Sequence, residues 1–183
     1  MKTYFQFFLL LTLVFLAGCK RDELNNINFE DVPTGAYVRT ITSSGTLSLA
    51  ALETSAYALT VEAKDEQNGD LLQSYDLTAV FKDNTPANGI KTTTGAALKS
   101  IPASAFTKDA KSGLPRTSFT ITGAELLAAT KVAKADVLDK DAFEITGTVR
   151  LTNGKSFTLA NSGANLTGPF YNSPFFYRLT VAK

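Results

Sequence analysis

Alternating apolar and polar positions dominate the chain beyond residue 28. Every second residue is apolar from Tyr57 to Lys64, and the same period of two recurs over 75–82, 143–151 and 175–181. This period is typical of half-buried β-strands. Polar turns separate the runs, and the Asn153-Gly154 pair is a strong hairpin signal that leads into a return strand at 157–159.

Shorter alternating segments complete the predicted sheet structure. Further strands are predicted over 36–42, 45–52, part of 90–101, and 116–122. Roughly seven or eight strands with short links favour antiparallel pairing and two packed sheets. The predicted fold class is therefore all-β, a single antiparallel β-sandwich.

One helical segment interrupts the strands. Thr122 and Glu125 have the spacing of a capping box, and the leucines and alanines that follow favour a helix. The sequence predicts one short helix near 123–134, ending close to Ala135, and a second short helical turn at 100–106.

The apolar run at the N-terminus has a different character. One lysine, Lys2, precedes an uncharged apolar run over 4–16, which is the pattern of a secretory signal. A membrane-spanning helix needs about 20 apolar residues, and charged residues begin at Lys20. The segment is therefore predicted to be a cleaved signal peptide, residues 1–18.

The end of that run resembles the lipobox of bacterial lipoproteins. Leu16, Ala17 and Gly18 stand before Cys19, the only cysteine of the chain. Small side chains give a signal peptidase access to the backbone, and the thiol accepts a diacylglyceryl group. The resemblance implies a thioether-linked lipid on Cys19, usually with a further acyl chain such as palmitate on its amine. Two or more chains give stable membrane attachment.

The mature protein is predicted to consist of a lipidated tether, residues 19–28, and one β-sandwich domain, residues 29–183. The tether begins Lys20-Arg21-Asp22-Glu23. Its acidic pair is similar to surface-export signals of such lipoproteins, which implies display on the cell surface. The basic pair departs from that pattern, so a plain solvated tether is the alternative.

Composition excludes several classes of function. Removing Lys2 with the leader reduces 18 Lys and Arg to 17, equal to the 17 Asp and Glu, so nothing marks a nucleic-acid binder. The chain has no histidine, which removes Ser-His-Asp triads and imidazole metal sites. It also has no tryptophan, the strongest stacking platform for sugars. The sequence predicts a protein without enzymatic activity, cofactor or metal.

Two groups of carboxylates are candidate sites. Asp136, Asp139, Asp141 and Glu144 could supply oxygen ligands for calcium, but their spacing is not that of an EF-hand, and a solvated loop is favoured. Asp65, Glu66 and Asp70 could in principle form an acid pair for glycoside hydrolysis. That chemistry needs a cleft that a hairpin turn rarely forms.

Aromatic residues near the C-terminus form the best candidate interaction patch. Alternation assigns Phe175 and Tyr177 to the core and leaves Phe176 facing outward, with Phe170 and Tyr171 in a loop. Exposed aromatics can form a docking patch or a ligand platform. Packing over the end of the sandwich is the alternative.

Several segments together resemble a family of Bacteroidetes outer-membrane lipoproteins. The resemblance lies in residues 30–41, 57–66, 76–83, 101–106, 113–117 and 173–177. It implies an immunoglobulin- or fibronectin-III-like domain, a location at the outer membrane, and frequent association with starch-utilisation-type importers, each a TonB-dependent channel with a lid lipoprotein.

The expected function is that of a non-enzymatic accessory component of a nutrient-uptake system. It would bind glycan or a protein partner, with a channel and its lid as the possible protein partners. The alternative is a structural or adhesion module that makes only protein–protein contacts.

Overall fold

Ten β-strands and an eight-residue α-helix build the part of the chain that the computed structural model describes, residues 35–163, 166 and 175–183. In chain order the elements are β1 Tyr37–Ser44, β2 Leu47–Ser48, β3 Ala56–Lys64, β4 Leu72–Lys82, β5 Ala96–Pro102, β6 Thr107–Lys108, β7 Pro115–Thr122, α1 Gly123–Thr130, β8 Ala142–Leu151, β9 Ser156–Phe157 and β10 Phe176–Ala182.

The strands form two sheets. The four-stranded sheet has the order β1-β3-β7-β6, and the six-stranded sheet has the order β2-β10-β8-β4-β5, with β9 also paired to β8. The pairs are antiparallel, apart from the short parallel pairing of β2 with β10.

This order is that of the immunoglobulin fold. Immunoglobulin domains place strands A, B, E and D in one sheet and C, F and G in the other, and variable types add C′ beside C. Here β1, β3, β7 and β6 occupy the A, B, E and D positions, while β4, β8 and β10 occupy C, F and G and β5 occupies C′. The predicted all-β sandwich with one short helix is confirmed.

Inward side chains of both sheets meet in one core. Phe81 of β4 and Phe143 of β8 are fully buried with ring centroids 5.2 Å apart. The same buried cluster includes Leu59 and Val61 of β3 and Tyr177 of β10. The side chains assigned to the core by alternation in these strands are therefore the buried ones.

A group of hydroxyls lies inside this core. Tyr75 of β4 is fully buried, and its hydroxyl has no hydrogen-bond partner among the described residues. The Tyr177 hydroxyl is 2.8 Å from the hydroxyl of buried Thr40 on β1. Burial raises the pKa of Tyr75 well above its usual range, and the nearby Tyr177 hydroxyl raises it further.

Helix α1 begins as predicted and ends earlier than predicted. Thr122 Oγ1 accepts a hydrogen bond from the Glu125 N–H, and the Glu125 carboxylate accepts one from the Thr122 N–H. The helix stops at Thr130, because Lys131 adopts a left-handed conformation with φ 58°. The predicted end near Ala135 is wrong, and a separate 3-10 turn occupies Lys134–Asp136.

Two other segments differ from the sequence prediction. In place of a long strand over 45–52, only Leu47–Ser48 is extended, and a 3-10 turn follows at Leu52–Thr54. Ser55 holds this turn, because its Oγ accepts a hydrogen bond from the Ser48 N–H and donates to the Ala51 carbonyl. The return strand after Asn153-Gly154 is only two residues long, Ser156–Phe157.

Candidate functional site

Most of the sequence-predicted site residues lie outside the described part of the chain. The lipobox residues Leu16–Gly18, the lipidation site Cys19, the tether residues 20–23, and the aromatic pair at 170–171 all belong to segments that the structure does not describe. Their roles remain predictions. Phe176 is described, and it faces outward from β10, half-buried between buried Phe175 and Tyr177, as predicted.

Phe176 belongs to a row that crosses the outer surface of the six-stranded sheet. It lies opposite Thr146 of β8, which in turn lies opposite Thr78 of β4. The two threonine hydroxyls are 2.6 Å apart. Beyond Thr78, a depression of about 410 Å³ includes partly buried Leu98 of β5. We call the surface formed by Phe176, Thr146, Thr78 and Leu98 the Phe176 face.

Paired charges border the Phe176 face. Asp76 accepts hydrogen bonds from Ser100 Oγ and Arg150 Nε, each at 2.6 Å. Burial alone would raise the pKa of Asp76, but these bonds outweigh it and keep the pKa below the usual range. Glu144 is paired with Arg178 at 2.6 Å. The face therefore has an apolar and hydroxyl centre with a rim of ion pairs.

The four candidate calcium ligands each have different partners. Asp136 pairs with Lys91, Glu144 pairs with Arg178, and Asp139 accepts a hydrogen bond from the backbone of Lys183. Across residues 35–163 and 175–183, no three acidic, cysteine or histidine side chains gather to hold a metal.

The sequence predicted that Asp141 lies in a solvated loop, and the structure differs. Asp141 is fully buried, and its carboxylate accepts hydrogen bonds from Asn84 N–H, Thr85 Oγ1 and Leu138 N–H at 2.8 to 2.9 Å. Asp141 thus fastens the loop between β4 and β5 to the segment before β8.

The second carboxylate group is structural as well. Asp65 is buried in the turn between β3 and β4, and its two oxygens accept the N–H groups of Gln67, Gly69 and Leu71. Asp70 forms a 2.7 Å ion pair with Lys108. Asp65 therefore orders the turn.

A buried charge on the four-stranded sheet was not foreseen as a site. Alternation predicted that Glu62 of β3 faces away from the core, and it does, yet its side chain has no exposed surface. Its direct cross-strand neighbours are Arg39 on β1 and Arg116 on β7. Arg39 Nε donates to one carboxylate oxygen at 2.9 Å, and Arg116 Nη2 donates to the other at 2.8 Å.

The loop between β6 and β7 completes this cluster. Ser112 Oγ donates to Glu62 Oε2 at 2.6 Å, and Asp109 accepts a hydrogen bond from Arg116 Nη1 at 2.8 Å. Burial alone would raise the pKa of Glu62, but the bonds from Ser112, Arg116 and Arg39 outweigh it and lower the pKa. Glu62 could have been recognised only with the strand register, because its partners are 23 and 54 residues away.

Small hydroxyl side chains lie on one side of the Arg39–Glu62–Arg116 row, and the Tyr37–Lys64 pair lies on the other. Thr42, Thr60 and Ser118 lie side by side on β1, β3 and β7, and Ser44 and Thr120 flank Ala58 in the next outward row. The Thr60 and Ser118 hydroxyls are 2.8 Å apart. These six residues, together with Leu59 and Phe119, line an open depression of about 240 Å³. We call it the hydroxyl groove.

The protein is an immunoglobulin-like β-sandwich, and the outer surfaces of its two sheets differ in chemistry. No family model and no curated protein matches the chain. Within the described ranges, no helix has the length and apolar character needed to cross a membrane.

Proposed function

We propose that this protein is a lipid-anchored, non-catalytic binding module that serves as an accessory component of a nutrient importer at the outer membrane. The observation that carries the proposal is Leu16-Ala17-Gly18-Cys19, a lipobox-like sequence placed directly after an uncharged apolar run. An attached lipid would hold the sandwich at a membrane and raise its local concentration beside a partner.

The state of the acidic side chains supports a non-catalytic role. Asp65 and Asp141 are buried and accept hydrogen bonds that order loops, while Glu62 is enclosed by two arginines. A general acid or base must be able to reach its substrate. These carboxylates instead face partners within the fold.

The Phe176 face supports docking of a protein partner. Protein interfaces commonly combine an apolar centre with a polar rim and are enriched in aromatic side chains. Half-buried Phe176 supplies aromatic surface, Leu98, which also packs against the core, lines the depression beside Thr78, and the Asp76–Arg150 and Glu144–Arg178 pairs supply the rim. The partner we propose is an importer channel with its lid lipoprotein. The same face would equally serve a structural or adhesion module, the second candidate.

Lipid attachment is tested by replacing its acceptor. Expressed in a bacterium that makes lipoproteins, the native chain should incorporate labelled palmitate and sediment with outer membranes. Cys19→Ala should lose both the label and the membrane association, whereas Ser43→Ala, at an exposed position in β1, should keep both. Unlabelled native protein in the soluble fraction would refute the anchor.

Partner docking is tested by gentle solubilisation of those membranes. The native lipoprotein should co-purify with a channel and its lid, and Phe176→Asp should abolish this. Ile90→Asp is the matched control, because Ile90 is 81% exposed and lies in the β4–β5 loop, outside the Phe176 face. Isolation of the native protein as a free monomer, or equal loss in both variants, would contradict docking by this face.

A further inference from the structure

The three Asn-Gly pairs of the chain lie in turns with very different surroundings. They are Asn68-Gly69 between β3 and β4, Asn88-Gly89 between β4 and β5, and Asn153-Gly154 between β8 and β9. An asparagine side chain in such a pair is open to attack by the next backbone nitrogen, because glycine has no Cβ to shield that nitrogen. The surroundings of each pair therefore decide whether it reacts.

The reaction requires only the turn itself and water. The glycine N–H loses its proton to hydroxide, and the nitrogen attacks the asparagine Cγ. A succinimide ring closes as the Cγ–Nδ2 bond breaks, and the departing nitrogen takes protons from water to become ammonium. One water then opens the ring. Cleavage at Cγ gives aspartate, and cleavage at the main-chain carbonyl gives isoaspartate, so an amide and water become a carboxylate and ammonium.

The Asn153 side chain is exposed, and a hydrogen bond polarises its carbonyl. The Lys155 N–H donates to Asn153 Oδ1 at 3.1 Å, and Oδ1 is the atom on which negative charge develops when Cγ is attacked. A donor already in place there stabilises this charge as an oxyanion hole does. The Gly154 N–H donates to the Leu151 carbonyl, but residues 152–155 are exposed, so local opening of the turn frees the nitrogen.

The Asn68-Gly69 pair is protected by its surroundings. Gly69 is buried, and its N–H donates to Asp65 Oδ1 at 2.8 Å. The attacking nitrogen would have to lose that proton and carry negative charge beside a buried carboxylate, and like charges oppose such ionisation. A Cβ built on Gly69 would overlap the Pro115 ring, so the turn is also packed against β7.

The Asn88-Gly89 pair lies between these two cases. Both residues are exposed, and the Gly89 N–H donates to the Pro86 carbonyl at 3.0 Å. Asn88 Nδ2 donates to the Asp136 carbonyl at 3.3 Å, which ties the side chain to the segment before β8. At Asn88 the bond is therefore made by the leaving nitrogen, whereas at Asn153 it is made by the oxygen that becomes charged.

We propose that Asn153 is a site of spontaneous isoaspartate formation, and that the Asp65 carboxylate protects the same dipeptide at Asn68. The modification places a negative charge and one extra main-chain carbon in the β8–β9 turn. Phe157 of β9 packs against the core and lies beside Gly35, just before β1. Ageing therefore alters the end of the sandwich at which β1 begins.

The test follows all three asparagines in one protein. The purified full chain is incubated at pH 8 and 37 °C in water enriched in oxygen-18, which enters each new carboxylate. Trypsin then separates the pairs into peptides 65–82, 83–91 and 151–155, and protein-isoaspartate methyltransferase labels isoaspartate. Asn153 should convert at least tenfold faster than Asn68, with Asn88 in between. In urea the three rates should agree within threefold. None of these readouts depends on the anchor or on a partner.

Variants separate the protecting carboxylate from its neighbours. Asp65→Ala should raise the Asn68 rate at least fivefold, whereas Asp70→Ala removes a carboxylate that pairs with Lys108 and should leave it unchanged. If Asp65→Ala does not fold, Asp65→Asn makes the same test, because it keeps an acceptor oxygen and removes the charge. Asn153→Gln should abolish labelling of peptide 151–155. Thermal melting establishes that each variant is folded.

Several results would overturn the proposal. An Asn153 rate in the folded protein no greater than that of Asn68 would refute the site, as would oxygen-18 uptake without any methyl labelling. Faster conversion of Asn88 than of Asn153 would refute the role of the Lys155 N–H. Equal effects of Asp65→Ala and Asp70→Ala would refute protection by Asp65, and the same order of rates in urea would assign that order to sequence alone.

Discussion

The ring of Tyr75 lies over Gly147, in the space that any larger residue would need. A Cβ atom built on Gly147 would stand 2.4 Å from the Tyr75 hydroxyl oxygen and 2.5 Å from a ring carbon. Both residues belong to central strands of the six-stranded sheet, so neither can move aside easily. Immunoglobulin domains commonly bury a tryptophan on strand C, and Tyr75 provides the buried aromatic on the corresponding strand here.

Gly147→Ala should therefore destabilise the fold. Overpacking a well-filled core costs about 1–3 kcal/mol, and the clash involves a fully buried ring. Urea denaturation should show a lower midpoint with an unchanged slope. Gly163→Ala is the control, since a Cβ there meets nothing within 4 Å. An unchanged midpoint for Gly147→Ala would show that the ring has room to move.

The two core tyrosines should respond differently to loss of their hydroxyls. Tyr75→Phe should leave the free energy of unfolding unchanged or slightly raised, because its hydroxyl has no hydrogen-bond partner among the described residues. Tyr177→Phe should lower it by about 1 kcal/mol, because the bond to Thr40 is lost. Urea melts of both proteins make the comparison, and a larger loss from Tyr75→Phe would contradict it.

Alkaline pH should unfold the protein because Tyr75 and Tyr177 ionise more easily in the unfolded state. Burial raises the pKa of both Tyr75 and Tyr177 above 10.0 in the folded state. The unfolded state then releases protons first as pH rises, so stability is complete below about pH 10 and falls above it. Absorbance at 295 nm and circular dichroism should show these two tyrosines ionising together with unfolding. Ionisation of all tyrosines before unfolding would contradict this prediction.

Acid should lower the free energy of unfolding because Glu62 becomes protonated. Its pKa is lowered from 4.5 in the folded state, so its contribution is present above pH 4.5 and is lost as pH falls through the folded pKa. Glu62→Gln should cost about 2 kcal/mol at pH 7, the scale of a hydrogen bond to a charged group, since it leaves two partly exposed arginines without their carboxylate. The cost should shrink near pH 3.

Glu53→Gln is a suitable control for that measurement, because Glu53 forms an exposed ion pair with Lys134 and such pairs contribute little. Melting temperatures of the three proteins at pH 7 and pH 3 give the comparison. An equal loss from Glu62→Gln at both pH values would show that its packing, rather than its charge, stabilises the sheet.

Asp141 should matter for loop order and not for metal binding. Asp141→Ala removes the acceptor of three hydrogen bonds, which should cost about 2–4 kcal/mol and speed amide exchange in the β4–β5 loop. Asp139→Ala, which loses one bond to the terminal residue, should have a smaller effect. Calcium should leave the melting temperature of the native protein unchanged, and a rise with calcium would restore the metal-site interpretation.

Alternation in the sequence predicted the sheet faces because burial on one side imposes a period of two. Phe175, Tyr177, Leu179 and Val181 are buried as that pattern requires. The period carries no information on which strands become neighbours. For that reason the Arg39–Glu62–Arg116 row and the hydroxyl groove, both products of register, could not be predicted.

The start of α1 could be predicted from local sequence, but its end and the burial of Asp141 could not. The capping box at Thr122 was readable from its spacing, whereas the end of α1 depends on the left-handed conformation of Lys131, a residue type that gives no such signal. Asp141 looked like one more loop carboxylate. Its burial follows from the β4–β5 loop folding against it from more than 50 residues away.

The Lys99 side chain joins the edge strand of one sheet to a strand of the other. It lies on β5, the outermost strand of its sheet, and its Nζ donates to the Thr120 carbonyl on β7 at 2.7 Å and pairs with Glu125 at 2.8 Å. Exposed strand edges are the templates on which β-proteins polymerise, and lysines are a common guard against it. Because β6 pairs with β7 only at Pro115 and Arg116, the Thr120 carbonyl lies beyond that pairing, and removal of Lys99 would leave it open to a strand of another molecule.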